Sequence, residues 1–169
     1  LRRVTLADGT VVAHTYGADG RRVRTEVTPA TGSSRVVNYL VDPSETLSQV
    51  VAETDGDGAL KAYYVRGDDL LAVLRPAEGT TRFYHADGLG SIRALTDETG
   101  AVTDRYAFTA FGERLSHAGE DLQAYLFAGE QIDPNSGFYH LRARWMDPAV
   151  GRFISSDPLA PDVFEPASL

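Results

Sequence analysis

The residues able to do chemistry in this 169-residue chain are few in kind and widely scattered. Four histidines, His14, His85, His117 and His140, stand far apart, with no His-x-x-x-His pair and no cysteine to complete a zinc-type ligand set. They are read as strand-face or surface residues. Asp55-Gly56-Asp57-Gly58 alternates two carboxylates like the start of an EF-hand calcium loop. The fifth, sixth and twelfth positions of such a loop need an oxygen ligand, a glycine and a glutamate, but hold Ala59, Leu60 and Arg66. The run is therefore read as a hairpin turn, and neither a metal nor another cofactor is expected. Ser91, His85 and Asp87 can be drawn as a nucleophilic set, yet no Gly-x-Ser-x-Gly elbow presents the serine, which sets a hydrolase aside.

Arg142, Arg144 and Arg152 sit among Glu130, Asp147 and Asp157, which reads either as an anion site or as the polar face of a sheet with cross-strand ion pairs. The second reading is preferred, each pair being worth less than about 1 kcal/mol, and a cargo-facing role for the arginines stays open. Tyr16, Tyr39, Tyr64, Tyr84, Tyr106 and Tyr125 could stack on sugars. Their regular recurrence fits packing between neighbouring hairpins better.

What must position these side chains is a set of turns. Phe127 to Pro158 uses one formula twice, Asp133-Pro134-Asn135-Ser136-Gly137 and Asp147-Pro148-Ala149-Val150-Gly151. Asp can bond the backbone ahead of it, Pro pre-sets φ, and Gly supplies the φ > 0 residue that closes the loop. Between them, Tyr139, Leu141, Ala143 and Trp145 alternate with His140, Arg142 and Arg144, a period of two that predicts one strand over 138–146. A three-stranded meander follows: a strand ending near Ile132, the strand 138–146, and a third over Arg152 to Ser155.

The rest of the chain repeats this plan. The six tyrosines from Tyr16 to Tyr125 are spaced by 23, 25, 20, 22 and 19 residues, room for two short strands and two turns. Five Asp-Gly pairs begin at Asp8, Asp19, Asp55, Asp57 and Asp87, and Asp-Gly between alternating segments is a strong hairpin signal. Strands are predicted over 3–6, 10–16, 21–28, 35–41, 47–54, 60–65, 81–85, 91–96 and 101–109. Leu70 to Leu74 is a buried strand or one helical turn, and Leu115 to Asp121 a loop or short helix. No amphipathic helix of three turns is found, so the fold class is all-β.

A formal net charge of -8 opposes nucleic acid and anionic membrane surfaces as partners. The longest apolar run, Leu70 to Leu74, is far short of the roughly 20 residues of a membrane helix. Leu1 opens in mid-strand without Met or leader, so the chain is read as a piece of something longer.

Two segments resemble the core of Rhs and YD-repeat proteins: YHADGLGSIRALTDETGAVTDRYAFTAFGE at 84–113 and FAGEQIDPNSGFYHLRARWMDPAVGRFISSDPL at 127–159. Residues 1–75 match only as generic Tyr/Asp/Gly repeats. The resemblance implies repeated antiparallel β-hairpins forming part of a spiralling YD-repeat shell, secreted or at the cell surface in bacteria, that encloses and delivers a toxic C-terminal domain. Animal teneurins share the repeat. In this frame residues 1–80 are divergent repeats and 81–169 the Rhs core segment, continuous as one sheet unit. The implied partners are the rest of the parent chain, its C-terminal cargo and a secretion apparatus. The implied packing residues are the six tyrosines with Tyr139 and Trp145.

The family also implies self-cleavage of aspartyl-protease type. Asp157-Pro158-Leu159-Ala160 stands where many members have Asp-Pro-x-Gly, and Ala160 departs from it. With no second carboxylate identified to share acid and base roles, Asp157 is the single catalytic candidate and no catalytic residue is assigned. Two further function classes stand beside the structural one: part of an autoprotease, and an adhesion or glycan-binding module. For the architecture, a four-bladed propeller is the competitor.

Overall fold

The computed structural model describes residues 1–44 and 48–156. Eleven strands form one antiparallel sheet in strict sequence order. They are β1 (Arg3–Thr5), β2 (Val11–Tyr16), β3 (Arg22–Thr28), β4 (Arg35–Asp42), β5 (Gln49–Thr54), β6 (Leu60–Arg66), β7 (Leu70–Arg75), β8 (Thr80–Ala86), β9 (Ile92–Thr96), β10 (Val102–Phe108) and β11 (Arg114–Ala118). Four short strands make a second sheet: β12 (Gln131–Ile132), β13 (Tyr139–Leu141), β14 (Arg144–Asp147) and β15 (Arg152–Phe153). One 3-10 turn, Phe127–Gly129, is the only helical element among the described residues. The all-β expectation holds. One continuous sheet replaces the separate blades that a propeller requires.

The hairpins share a loop chemistry. At 6–10, 17–21, 55–59, 87–91, 97–101 and 109–113 the first residue's N–H bonds the carbonyl four residues on, and the fourth residue's N–H returns to the first carbonyl. That fourth residue is a glycine at φ between +78° and +90° every time: Gly9, Gly20, Gly58, Gly90, Gly100 and Gly112. Asp-Gly is thus not the operative unit in two of the five pairs, because Gly56 and Gly88 do not adopt positive φ. Asp55 and Asp87 instead open their loops, each Oδ1 accepting two backbone N–H groups.

Three strand expectations change. Leu70–Arg75 is a strand, which resolves the strand-or-helix alternative. Leu115 to Asp121 was expected as loop or helix, yet Arg114–Ala118 pairs with β10 as an edge strand. There His117 stacks on Tyr106 at 4.5 Å between ring centroids, a cross-strand contact that polarity alone does not reveal. The single strand over 138–146 is two strands. Arg142 takes φ +56°, and a tight turn folds β14 back on β13 with Leu141 opposite Arg144 and His140 opposite Trp145. The second sheet therefore has four strands instead of the three expected.

Breaking that strand changes which side chains share a face. Trp145 now lies on the side of His140, and Tyr139 on the side of Met146. Both rings are almost fully buried, at 1% and 0% exposure, so the hairpin is dry on both faces. Trp145 donates from Nε1 to the Tyr16 hydroxyl on β2, while Tyr139 donates to the Gly112 carbonyl beyond β10. In a flat sheet with strands about 4.8 Å apart, β2 and β10 would stand roughly 38 Å apart, well beyond the reach of one hairpin. The large sheet therefore curls around the small one. Irregular register in seven of its ten pairings among the described residues supplies the bend, since each extra residue kinks its strand and increases twist.

The enclosed face is where the tyrosines gather. Tyr64, Tyr84, Tyr106, Tyr125 and Tyr139 are buried with Ile92, Leu95, Val73 and Leu126 in one cluster. Tyr64 and Tyr125 meet edge to face at 4.9 Å, and Phe127 bridges Phe108 and Tyr139 at 6.0 Å from each. Tyr16 and Tyr39 are half-buried at the other side of the curl.

Candidate functional site

Between the small sheet and β2–β6 runs a buried polar seam. His14, Thr25, Tyr39, Glu53 and Tyr64 come from consecutive strands and lie on the enclosed face. His14 Nδ1 and the Tyr39 hydroxyl both bond Thr25 Oγ1, at 3.0 and 3.1 Å. Arg22, 5% exposed, places its guanidinium over the Tyr39 ring at 4.4 Å and the Trp145 ring at 5.1 Å, and donates to Gln131 Oε1. Gln131 Nε2 passes the connection to Glu53 Oε1 at 3.3 Å, which also accepts from Tyr64 at 2.9 Å. The Glu53 carboxyl is raised by burial against the pull of the Tyr64 hydrogen bond and Arg22.

Trp145 is the hub on the small-sheet side. His14 stacks on it at 4.5 Å, His140 lies against it at 4.8 Å, and the Tyr16 hydroxyl accepts its N–H at 2.9 Å. Asp133 Oδ2 stands 3.8 Å from His14 Nε2. Its Oδ1 meanwhile accepts the N–H groups of Asn135 and Ser136, and Gly137, at φ +75°, donates to the Asp133 carbonyl. Burial pushes His14 down to about 4 and His140 to about 2, with Arg22 adding to both. Beside the seam a cavity of about 350 Å³ opens between Arg21, Gln49, Tyr125, Glu130, His140 and Arg142, where Arg142 and Glu130 pair at 3.2 Å.

A second polar anchor lies at the far end of the curl. Asp121 receives both Nη atoms of Arg75 at 2.8 Å, with Arg82 Nε at 3.6 Å. Its backbone N–H bonds Asp104 Oδ1, which also accepts from His117 at 2.8 Å, and its carbonyl accepts from the Tyr106 hydroxyl. The chain leaving β11 is thereby fastened across β7, β8 and β10 before it enters the interior.

Other sequence candidates are not brought together. Ser91 Oγ accepts the Ala128 N–H, His85 bonds Thr96, and Asp87 caps its own loop. Arg144 lies over the Phe153 ring at 3.6 Å, and Arg152 stands opposite Asp147 in the strand register. Asp147 Oδ1 accepts the Ala149 N–H, Pro148 follows it, and Gly151 has φ +65°. Asp157 lies outside the described residues. Sequence reasoning missed Arg22, Glu53, Gln131 and Asp121, which sit in ordinary polar surroundings and acquire their roles only through partners 46 to 109 residues away.

A repeat-built β-wall, curled by its bulges and filled by the strands at its own end, is a shell segment in architecture. The chain belongs to the teneurin YD-shell family, whose model matches residues 1–169. It is 31% identical over 154 residues to the tRNA nuclease WapA of Bacillus subtilis (strain 168), covering 89% of this chain and 6% of that protein. To the toxin protein Tse5 of Pseudomonas aeruginosa it is 37% identical over 106 residues, 59% of this chain and 8% of the relative. The crystal structure of TcdB2-TccC3 without its hypervariable C-terminal region superposes with a TM-score of 0.72 at 19% identity, over 94% of this chain and 8% of that one. The chain thus spans about 6% of the length of the WapA relatives.

Proposed function

We propose that this chain is wall and filling of a bacterial YD-repeat shell that encloses a toxic C-terminal domain of the same polypeptide and delivers it outside the producing cell. The carrying observation is the β13–β14 hairpin, whose two buried rings engage opposite ends of one curled sheet. A wall that closes on its own chain hides its apolar face without a partner protein. The relatives support the cargo: one is a tRNA nuclease, another a toxin, and a structural neighbour was crystallised without a hypervariable C-terminal region. In this reading residues 1–80 and 81–169 act as one unit, the tyrosines as its packing and the two Asp-Pro turns as its corners. The rest of the shell and the cargo are its partners, with a secretion apparatus handling the whole.

The test is protease protection in the full-length protein. The C-terminal domain should resist digestion in the intact chain and become sensitive in Trp145→Ala; a domain equally sensitive in both would overturn the reading. Self-cleavage of the parent is a separate proposal that rests on Asp157. Asp157→Asn should leave the parent uncut, and normal cutting would remove that residue from the chemistry.

A further inference from the structure

The seam holds two histidines whose geometry the shell reading does not use. They contact the same indole, His14 at 4.5 Å and His140 at 4.8 Å between ring centroids, one from each sheet. Each keeps one buried nitrogen, Nε2, without a hydrogen-bond partner. A proton placed there would gain no acceptor at hydrogen-bond distance, because Asp133 Oδ2 stops at 3.8 Å from His14 and is engaged by its own turn through Oδ1. It would add positive charge beside Arg22, which is buried and lies over the same Trp145 ring.

The surrounding charges decide the sign. Facing His14 are Arg22 from β3, and Asp133 and His140 from the segment of the second sheet, with Tyr16 on its own strand. Tyr39 from β4 and Glu53 from β5 complete the ring through Thr25, Arg22 and Gln131. Asp133 favours a proton on His14, whereas burial and Arg22 oppose it and prevail. Burial, Arg22 and His14 likewise oppose a proton on His140, against a backbone hydrogen bond at Arg142 that favours it. Both histidines are therefore neutral in the closed seam, and opening it lets them take up protons.

We propose that the seam is an acid-released latch: protonation of His14 and His140 detaches the four-stranded sheet from β2 and β3 while the eleven-stranded sheet stays folded. Both folded values lie below the ordinary 6.5, so the closed form is fully favoured above that pH. It loses ground as the pH falls toward about 4, the value of His14. The large sheet does not share the weakness, since its pairings are backbone ladders between sequence neighbours. Its far anchor is an Arg75–Asp121 pair, and the histidine there, His117, has a carboxylate partner in Asp104 at 2.8 Å.

Trp145 is the only tryptophan in the chain and reports the latch directly. The readouts are its emission maximum and its quenching by acrylamide, a neutral probe that a nearby imidazolium does not repel, followed from pH 8 to 4 beside far-ultraviolet circular dichroism. The expected result is a red shift and a several-fold rise in quenching below pH 6.5, with the strand signal unchanged. His14→Gln/His140→Gln should abolish that transition. Asp133→Asn, which keeps the turn acceptor but removes the charge that favours a proton on His14 in the closed seam, should move it to higher pH and serves if the double variant does not fold. Emission that stays constant until the strand signal is lost would overturn the latch, as would the same transition in both variants.

Discussion

Trp145 donates its indole N–H to the hydroxyl of Tyr16, a residue 129 positions earlier, and that hydroxyl in turn donates to the Leu1 carbonyl at 2.6 Å. One phenol thus joins the small sheet to the first hairpin of the large one. Tyr16→Phe should leave the buried indole N–H unpaired and lower unfolding free energy by about 1–3 kcal/mol, read from urea titration. A stability equal to wild type would mean that the bond contributes nothing to closure.

Asp121 and Arg75 form a bidentate pair with side chains only 10% and 15% exposed. Removing one partner of such a pair strands the other, so Asp121→Ala is expected to cost about 3 kcal/mol. Arg75→Met/Asp121→Leu, which removes both charges, should recover part of the loss. Thermal melts of the three proteins distinguish a stranded charge from lost packing.

Gly119 sits at φ +117°, and a Cβ there would run into the Asp104 carboxylate. Gly100 shares the positive φ, at +83°, but faces open space. Gly119→Ala should therefore destabilise well beyond Gly100→Ala, for which about 1 kcal/mol is expected from backbone strain alone. Comparable melting temperatures for the two would contradict the close approach.

Ala128 holds φ +53° while its side chain is exposed. Ala128→Gly removes the strain without losing buried surface and should stabilise by about 1 kcal/mol, measurable as an increased urea midpoint.

Burial pushes the Asp104 carboxyl up, but the hydrogen bonds from His117 and the Asp121 N–H outweigh it and hold the group below its ordinary 3.8. A lowered acid contributes stability above pH 3.8 that disappears as the pH falls through the folded value. The stability gap between wild type and Asp104→Asn should accordingly be widest near neutrality and close below that pH. A gap independent of pH would assign the effect to shape instead of charge.

The large sheet was legible because its signals are local. A glycine at the fourth loop position and a tyrosine on the inward face can be read within one hairpin, and nine of the predicted strands lie within a few residues of observed ones. Arg142 misled because alternation from Tyr139 to Trp145 describes one long strand with one dry face, whereas a left-handed residue folds the segment into a hairpin with Trp145 on the side of His140. Leu115 to Asp121 misled because an edge strand need not be apolar when His117 and Asp104 pair across it. The seam was illegible for another reason. Periodicity tells which face of β2 or β3 is dry, but not that Gln131 and Trp145 will cover Arg22 and His14 more than 100 residues later.

That distance in sequence also sets an order of events. Each strand of the large sheet pairs with its immediate predecessor, so hairpins can be laid down one after another as the polypeptide leaves the ribosome. Residues 131–145 emerge after all eleven strands of the large sheet, and only then can Gln131 find Arg22 and Trp145 find Tyr16. Until that moment the aromatic row from Tyr64 to Tyr106 has no cover from the second sheet. Closing the seam is thus a completeness check written into the chain: a product that stops short of Trp145 keeps a sticky face that proteases and chaperones can recognise.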